Sequence, residues 1–159
     1  TIPQDGQIWF SLAGSATIQL ADRKTIIGSI RGGSRAYSAR GDNEYYGKVK
    51  RRGPGFALAA PKGGRTFVVS IRAQHIDIKA QELAFTIEPT AEGFRVSKGR
   101  VTIGVVRAQG GRTHVMRADT TVAVVQEKTV TPKWAALLLT ELPEAARAIM
   151  VAEFAIRGL

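Results

Sequence analysis

Hydrophobic and polar residues alternate along much of the chain before residue 130. In residues 66–72, 75–80 and 83–88, every second position is a large apolar residue. A period of two is typical of β-strands that bury one face. Val101 and Ile103 are expected to share a buried face in the same way, because Thr102 separates them. Shorter stretches of this kind occur at residues 16–20, 94–97, 101–103 and 122–125.

Glycine and proline interrupt these stretches and mark turns. Examples are Gly32-Gly33, Gly53-Pro54-Gly55, Glu92-Gly93, Lys98-Gly99 and Gly110-Gly111. Short strands separated by turns at intervals of about 8–12 residues predict a mainly β fold, either a short-strand sandwich or a solenoid-like domain. Residues 31–52 are rich in Gly, Ser and Arg and lack apolar periodicity, so we expect a long loop or a weak hairpin there.

The pattern changes near residue 130, where a C-terminal helical arm is predicted. Thr131-Pro132 is a favourable helix start, and Pro143 is expected to kink the arm or to divide it into two helices, because proline cannot donate a backbone hydrogen bond. We therefore expect a β-domain at 1–130 and a helical segment at 131–159. The charged residues Glu144, Arg147, Glu153 and Arg157 are expected opposite the apolar face. The candidates for hydrophobic docking or assembly are Trp134, Leu137, Leu138, Ile149 and Phe154.

The formal net charge is +10, and all of the excess lies before residue 131. A positive surface favours anionic partners. The densest cluster of basic residues has two tyrosines beside it, and its members are Lys48, Lys50, Arg51, Arg52, Tyr45 and Tyr46. Charge with aromatic stacking would suit single-stranded nucleic acid. The cluster could equally dock an acidic protein or lipid surface, or be a solvated hairpin tip.

Residues for catalysis are scarce. The chain has no cysteine and only two histidines, His75 and His114, and neither has the spacing of a known catalytic or metal-binding group. The glycine clusters do not form a phosphate-binding loop. The sequence therefore predicts no enzyme activity, no cofactor and no metal. Its apolar runs are also too short to span a bilayer, which needs about 20 residues.

The centre of the chain resembles the FecR family, the extracytoplasmic domain of bacterial transmembrane regulators. The similar segments are GPGFALA at residues 53–59, RTFVV at residues 65–69 and VSKGRVTI at residues 96–103. The similarity covers roughly residues 14–125. It implies an all-β domain in the periplasm, or otherwise outside the cytoplasmic membrane, that works by contact with proteins.

Three functions follow as alternatives. The first is a non-enzymatic protein-binding or signalling module of the FecR type, with an acidic or envelope protein as its partner. The second is a self-assembling shell or filament subunit, in which the C-terminal helices are exchanged between copies of the chain. The third is a basic nucleic-acid-binding β-domain, an interpretation that rests on charge alone.

Overall fold

In a computed structural model, the backbone is described for residues 9–12, 15–19, 25–29, 34–39, 45–59, 66–125, 127–142 and 144–159. Side-chain environments are described for 48–59, 66–125, 127–142, 146–147 and 149–159. These ranges contain the strands β1 (Trp9–Leu12), β2 (Ser15–Gln19), β3 (Thr25–Ser29), β4 (Ser34–Ala39), β5 (Tyr45–Arg52), β6 (Gly55–Ala59), β7 (Thr66–Arg72), β8 (His75–Ala80), β9 (Leu83–Pro89), β10 (Gly93–Lys98), β11 (Val101–Gln109), β12 (Arg112–Arg117) and β13 (Thr120–Val125).

Each strand pairs with the strand that precedes it in the chain, and every described pairing is antiparallel. Within the described ranges the strands thus form a single meander with β1 and β13 at its edges. The predicted mainly β class is confirmed. The described strands belong to one hydrogen-bonded sheet, and the C-terminal helices pack against it. Residues 34–39 and 45–52, within the stretch predicted as a loop or weak hairpin, form the hairpin β4–β5.

One face of the sheet is buried, as the alternation predicts. In β7 the buried residues are Phe67, Val69 and Ile71, and in β8 they include Ile76 and Ile78. The same pattern continues in the next strands with Phe85, Ile87, Phe94 and Val96. The predicted alternation is therefore confirmed in β7 and β8 and at Phe85, Ile87, Phe94 and Val96, whereas Ser97, expected on the polar face, is buried.

Val101 does not follow the predicted pattern. A β-bulge between β10 and β11 pairs Val96 with Gly104 but Ser97 with Thr102, so that Ile103 is the extra residue. Val101, the first residue of β11, pairs with Lys98, which is also exposed. It is 69% exposed, so the expectation that it is buried is wrong.

The C-terminal segment forms a 3₁₀ helix, Pro132–Leu138, and the helix α1, Glu144–Ile156. Thr131 and Pro132 begin the first helix as predicted, but the Thr131 hydroxyl accepts a hydrogen bond from Lys133 Nζ at 3.0 Å and does not cap the helix backbone. The 3₁₀ helix lies against β9 to β12, and α1 lies against the 3₁₀ helix, β2 and β5. Pro143, the predicted break, lies outside the described residues.

Helix α1 is buried on more than its apolar side. Ile149, Met150, Val151 and Phe154 are fully buried, as expected, but so is Glu153. The prediction that Glu153 lies on a solvent-facing side is therefore wrong. Its carboxylate Oε1 accepts a hydrogen bond from Arg157 Nη1 at 2.7 Å, which supplies the partner that a buried charge requires.

The sheet and the helices share one hydrophobic core. Their close approach depends on Gly104 of β11, where an added Cβ would lie 2.2 Å from the Met116 carbonyl oxygen and 3.1 Å from Leu138 Cδ1. The absence of a side chain at this position lets the 3₁₀ helix lie directly on the sheet. The opposite face of the sheet is left free to present polar side chains.

Candidate binding surface

The basic cluster predicted from the sequence lies on β5. Val49 is fully buried, while Lys48, Lys50 and Arg52 are exposed. Successive side chains of a strand point to opposite faces, so these three cations share the outer face of the sheet. Their spacing is roughly 7 Å between next neighbours, since a strand rises about 3.3 Å per residue. We call Lys48, Lys50 and Arg52 the β5 cation row.

The other members of the cluster are placed differently. Arg51 lies two residues after buried Val49, so the alternation places it on the same face as Val49, and its partner on β6 is the buried residue Phe56. Arg51 is nevertheless exposed, because it lies near the end of the strand. Its charge therefore adds to the local potential without belonging to the row. Tyr45 and Tyr46 are the first residues of β5, and their side chains lie outside the described part of the chain.

The β5 cation row has no carboxylate within ion-pair distance among the described residues. Other cations on the sheet do have one: Arg95 Nη2 pairs with Glu88 Oε1, and Lys98 Nζ lies 2.7 Å from Glu141 Oε1. The charge of the row is thus not neutralised by described neighbours, so it is available to an external anion.

The neighbouring strand leaves the row accessible. Lys50 pairs with Ala57, and Lys48 pairs with Ala59, so the positions beside the cations on β6 carry single methyl groups. Short side chains on an adjacent strand cannot fold over the lysines. The row therefore stands on a rigid, paired strand, where a flat anionic surface could meet all of its members at once.

The two histidines do not form a catalytic group with the described residues. His75 Nε2 lies 3.7 Å from Asp77 Oδ1, a carboxylate that the sequence spacing did not suggest as a partner, and Thr86 Oγ1 donates to the same oxygen at 3.1 Å. His114 is half-buried opposite Arg107, and its Nδ1 has no hydrogen-bond partner. In the described part of the chain, no three His, Cys, Asp or Glu side chains come together as metal ligands.

The residues predicted for docking or assembly lie in the chain's own core. Trp134, Leu138, Ile149 and Phe154 are at most 1% exposed, and Leu137 is partly buried. Phe154 contacts Phe56 of β6, with 5.8 Å between the ring centres. The helices could pack on the sheet of their own chain or be exchanged between copies of the chain. In the structure they pack on their own sheet.

A groove that the sequence patterns did not reveal lies at one end of the sheet, where β9 and β11 begin and β10 and β12 end. Its walls include Val101, Ile103, Arg117 and Leu138, and its volume is about 540 Å³. The turn at Gly99 indicated the end of a strand, but only the bulge and the position of the 3₁₀ helix create the groove.

No family model, no curated protein and no solved structure matches this chain. The FecR-like pattern of residues 14–125 therefore stays a prediction from the sequence. Within the described ranges, neither helix is long and apolar enough to cross a membrane.

Proposed function

We propose that the protein is a non-catalytic protein-binding module, of the kind found in FecR-type extracytoplasmic regulators, and that it docks an acidic protein through the β5 cation row. The observation that carries this proposal is the row itself: Lys48, Lys50 and Arg52 are exposed on one face and have no carboxylate partner among the described residues. Such a row attracts an acidic surface over a distance and fixes its register on contact.

An acidic protein fits this surface better than nucleic acid does. Proteins that bind single strands combine charge with exposed aromatic side chains on which bases stack. Every phenylalanine and tryptophan with a described side chain is buried, so none of these residues is available for stacking. Stacking would fall to aromatic residues whose side chains lie outside the described part of the chain, Tyr45 and Tyr46 among them. An acidic protein surface needs only charge and flatness, and the row offers both.

The test is the kinetics of binding to a glutamate-rich peptide in 50–300 mM NaCl. Replacing Lys48, Lys50, Arg51 and Arg52 with Gln should slow association at least about tenfold at low salt and flatten its salt dependence, because electrostatic steering raises association rates by 10- to 1000-fold. Unchanged rates would show that the row is only a solvated surface.

A matched control removes four exposed cations elsewhere: Lys79, Arg100, Arg112 and Lys128. Both variants lose the same formal charge, so the proposal requires the β5 variant to be slowed much more. Equal slowing would mean that total charge, and not this surface, drives binding. Tighter binding to a thymidine oligonucleotide than to the peptide at equal salt would favour the nucleic-acid alternative.

A further inference from the structure

The groove at the ends of β9 to β12 has an apolar floor and a charged rim. Phe85, Val101, Ile103 and Leu138 contribute the apolar surface. Val101 is the more exposed of the two large hydrophobic residues that are exposed in the described part of the chain. The residues after the 3₁₀ helix close one side, so the groove combines an enclosed apolar surface with an open mouth.

The charges on the rim are arranged unevenly. Lys98 Nζ is held by both carboxylate oxygens of Glu141, at 2.7 and 2.9 Å, so this pair is neutral. Arg117 Nη2 instead donates to the Leu138 carbonyl oxygen at 2.9 Å and to Thr140 Oγ1 at 2.7 Å. Both acceptors are uncharged, and no described carboxylate pairs with Arg117. One end of the groove is therefore positive.

The opposite end is negative. Glu82 precedes β9, and Arg117 ends β12, three strands farther across the sheet. With strands about 4.8 Å apart, the two residues are separated by roughly 14 Å. An anionic group is therefore attracted to the Arg117 end and repelled from the Glu82 end, which fixes the orientation of a bound molecule.

We propose that this groove binds an aliphatic monocarboxylate of medium chain length. Its carboxylate accepts hydrogen bonds from the Arg117 guanidinium, whose planar fork matches a carboxylate. Its chain lies over Val101 and Ile103 and covers apolar surface of these two residues that is otherwise in contact with water. A volume of about 540 Å³ is within the range of small-molecule sites. This site is separate from the β5 cation row and does not depend on it.

The experiment is calorimetric titration of the intact chain with octanoate, decanoate and dodecanoate, each below its micelle concentration. Burial of each added methylene should tighten the dissociation constant by about fourfold until the groove is filled. Decyltrimethylammonium, with the opposite head-group charge, should bind at least tenfold more weakly than the carboxylate of equal chain length. Equal affinity of the two head groups, or no binding by any acid, would overturn the proposal.

Two valine variants locate the site. Val101→Glu places a carboxylate in the groove and should weaken decanoate binding at least tenfold, whereas Val122→Glu, at the other exposed valine on β13, should leave it unchanged. Melting curves check that both variants fold. Equal weakening by both would identify non-specific detergent binding. Arg117→Gln should abolish the preference of decanoate over decanol, and a preserved preference would also overturn the proposal.

Discussion

Glu153 shows how one residue can depart from a helical pattern. Its position on α1 is opposite part of the apolar arc, which suggested exposure to solvent, but α1 packs against the 3₁₀ helix, β2 and β5, and Glu153 is fully buried. Arg157 offsets the free-energy cost of burying this carboxylate, because its guanidinium donates a hydrogen bond to Glu153. The same guanidinium lies 4.5 Å from the centre of the Phe56 ring. The arginine thereby neutralises Glu153 at the end of α1, and its contact with the Phe56 ring joins this end of the helix to β6.

Removing the Glu153 carboxylate should therefore be costly. Glu153→Ala leaves Arg157 largely buried without its partner, and the loss of one member of a buried pair typically costs about 3–5 kcal/mol. Glu88→Ala breaks the more exposed pair with Arg95 and should cost at most about 1 kcal/mol. Urea denaturation measures both free energies of unfolding. Similar values for the two variants would show that burial of Glu153 adds nothing to the strength of its pair.

At the scale of elements, the strands of the central sheet were predictable because alternation is a local property. β7, β8 and β9 begin within one residue of the predicted positions and bury the predicted faces. The bulge between β10 and β11 was not predictable, because it depends on how two strands pair and not on the sequence of either one. The helix start at Thr131-Pro132 is a local signal and was found.

The location of the C-terminal helices could not be derived from their sequence. A wide apolar arc shows that a helix must be covered, but it does not say by which surface. In the structure the sheet supplies that surface, and Trp134 is fixed to the strand side by a hydrogen bond from its Nε1 to Glu127 Oε2 at 2.9 Å. The sequence predicted a helical arm, but whether the arm packs on its own sheet or on another molecule depends on the tertiary structure.

Truncation after Val130 tests how much the helices contribute to the fold. It removes Trp134, Leu138, Ile149 and Phe154 from the core and exposes the inner face of the sheet. Since burial of each such side chain contributes roughly 1.5–3 kcal/mol, we expect the truncated chain to lose its cooperative thermal transition. Circular dichroism on heating and light scattering at physiological salt provide the readout.

The same measurement separates the two arrangements of the helices. If they cover the sheet of their own chain, the intact protein is a 17.1 kDa monomer in solution. If neighbours exchange them, the intact protein is an oligomer, and truncation yields a monomer whose sheet melts almost as before. The second result would contradict the arrangement in the structure and would support the assembly alternative.

At the scale of the whole molecule, charge and burial are segregated. Residues 131–159 have no net charge and supply the buried layer, while the excess of cations belongs to the part of the chain that forms the sheet. Composition identified the basic cluster, and the structure places it on β5. Composition could not say which face of the sheet each basic residue occupies. That assignment requires knowing that residues 45–52 form a strand and that Val49 is its buried residue, because side chains then alternate between the two faces.

This segregation should make stability depend on salt. Neighbouring cations of the β5 row, roughly 7 Å apart, repel each other by about 0.6 kcal/mol in water without salt. With Arg51 and the remaining pairs, the repulsion is on the order of 1–2 kcal/mol. The Debye length falls from about 30 Å at 0.01 M to about 3 Å at 1 M salt, so added NaCl removes this destabilisation.

The variant with Gln at Lys48, Lys50, Arg51 and Arg52 should consequently melt about 2–6 °C above the unmodified chain in 10 mM NaCl. The difference should disappear in 1 M NaCl, where the charges are screened in both proteins. The control variant at Lys79, Arg100, Arg112 and Lys128 removes more widely spaced cations and should gain less at low salt. Melting curves that coincide for all three proteins at 10 mM NaCl would mean that the row carries no unneutralised charge. The same row would then have no means of steering an acidic partner, because repulsion within the row and attraction to an anion arise from one potential.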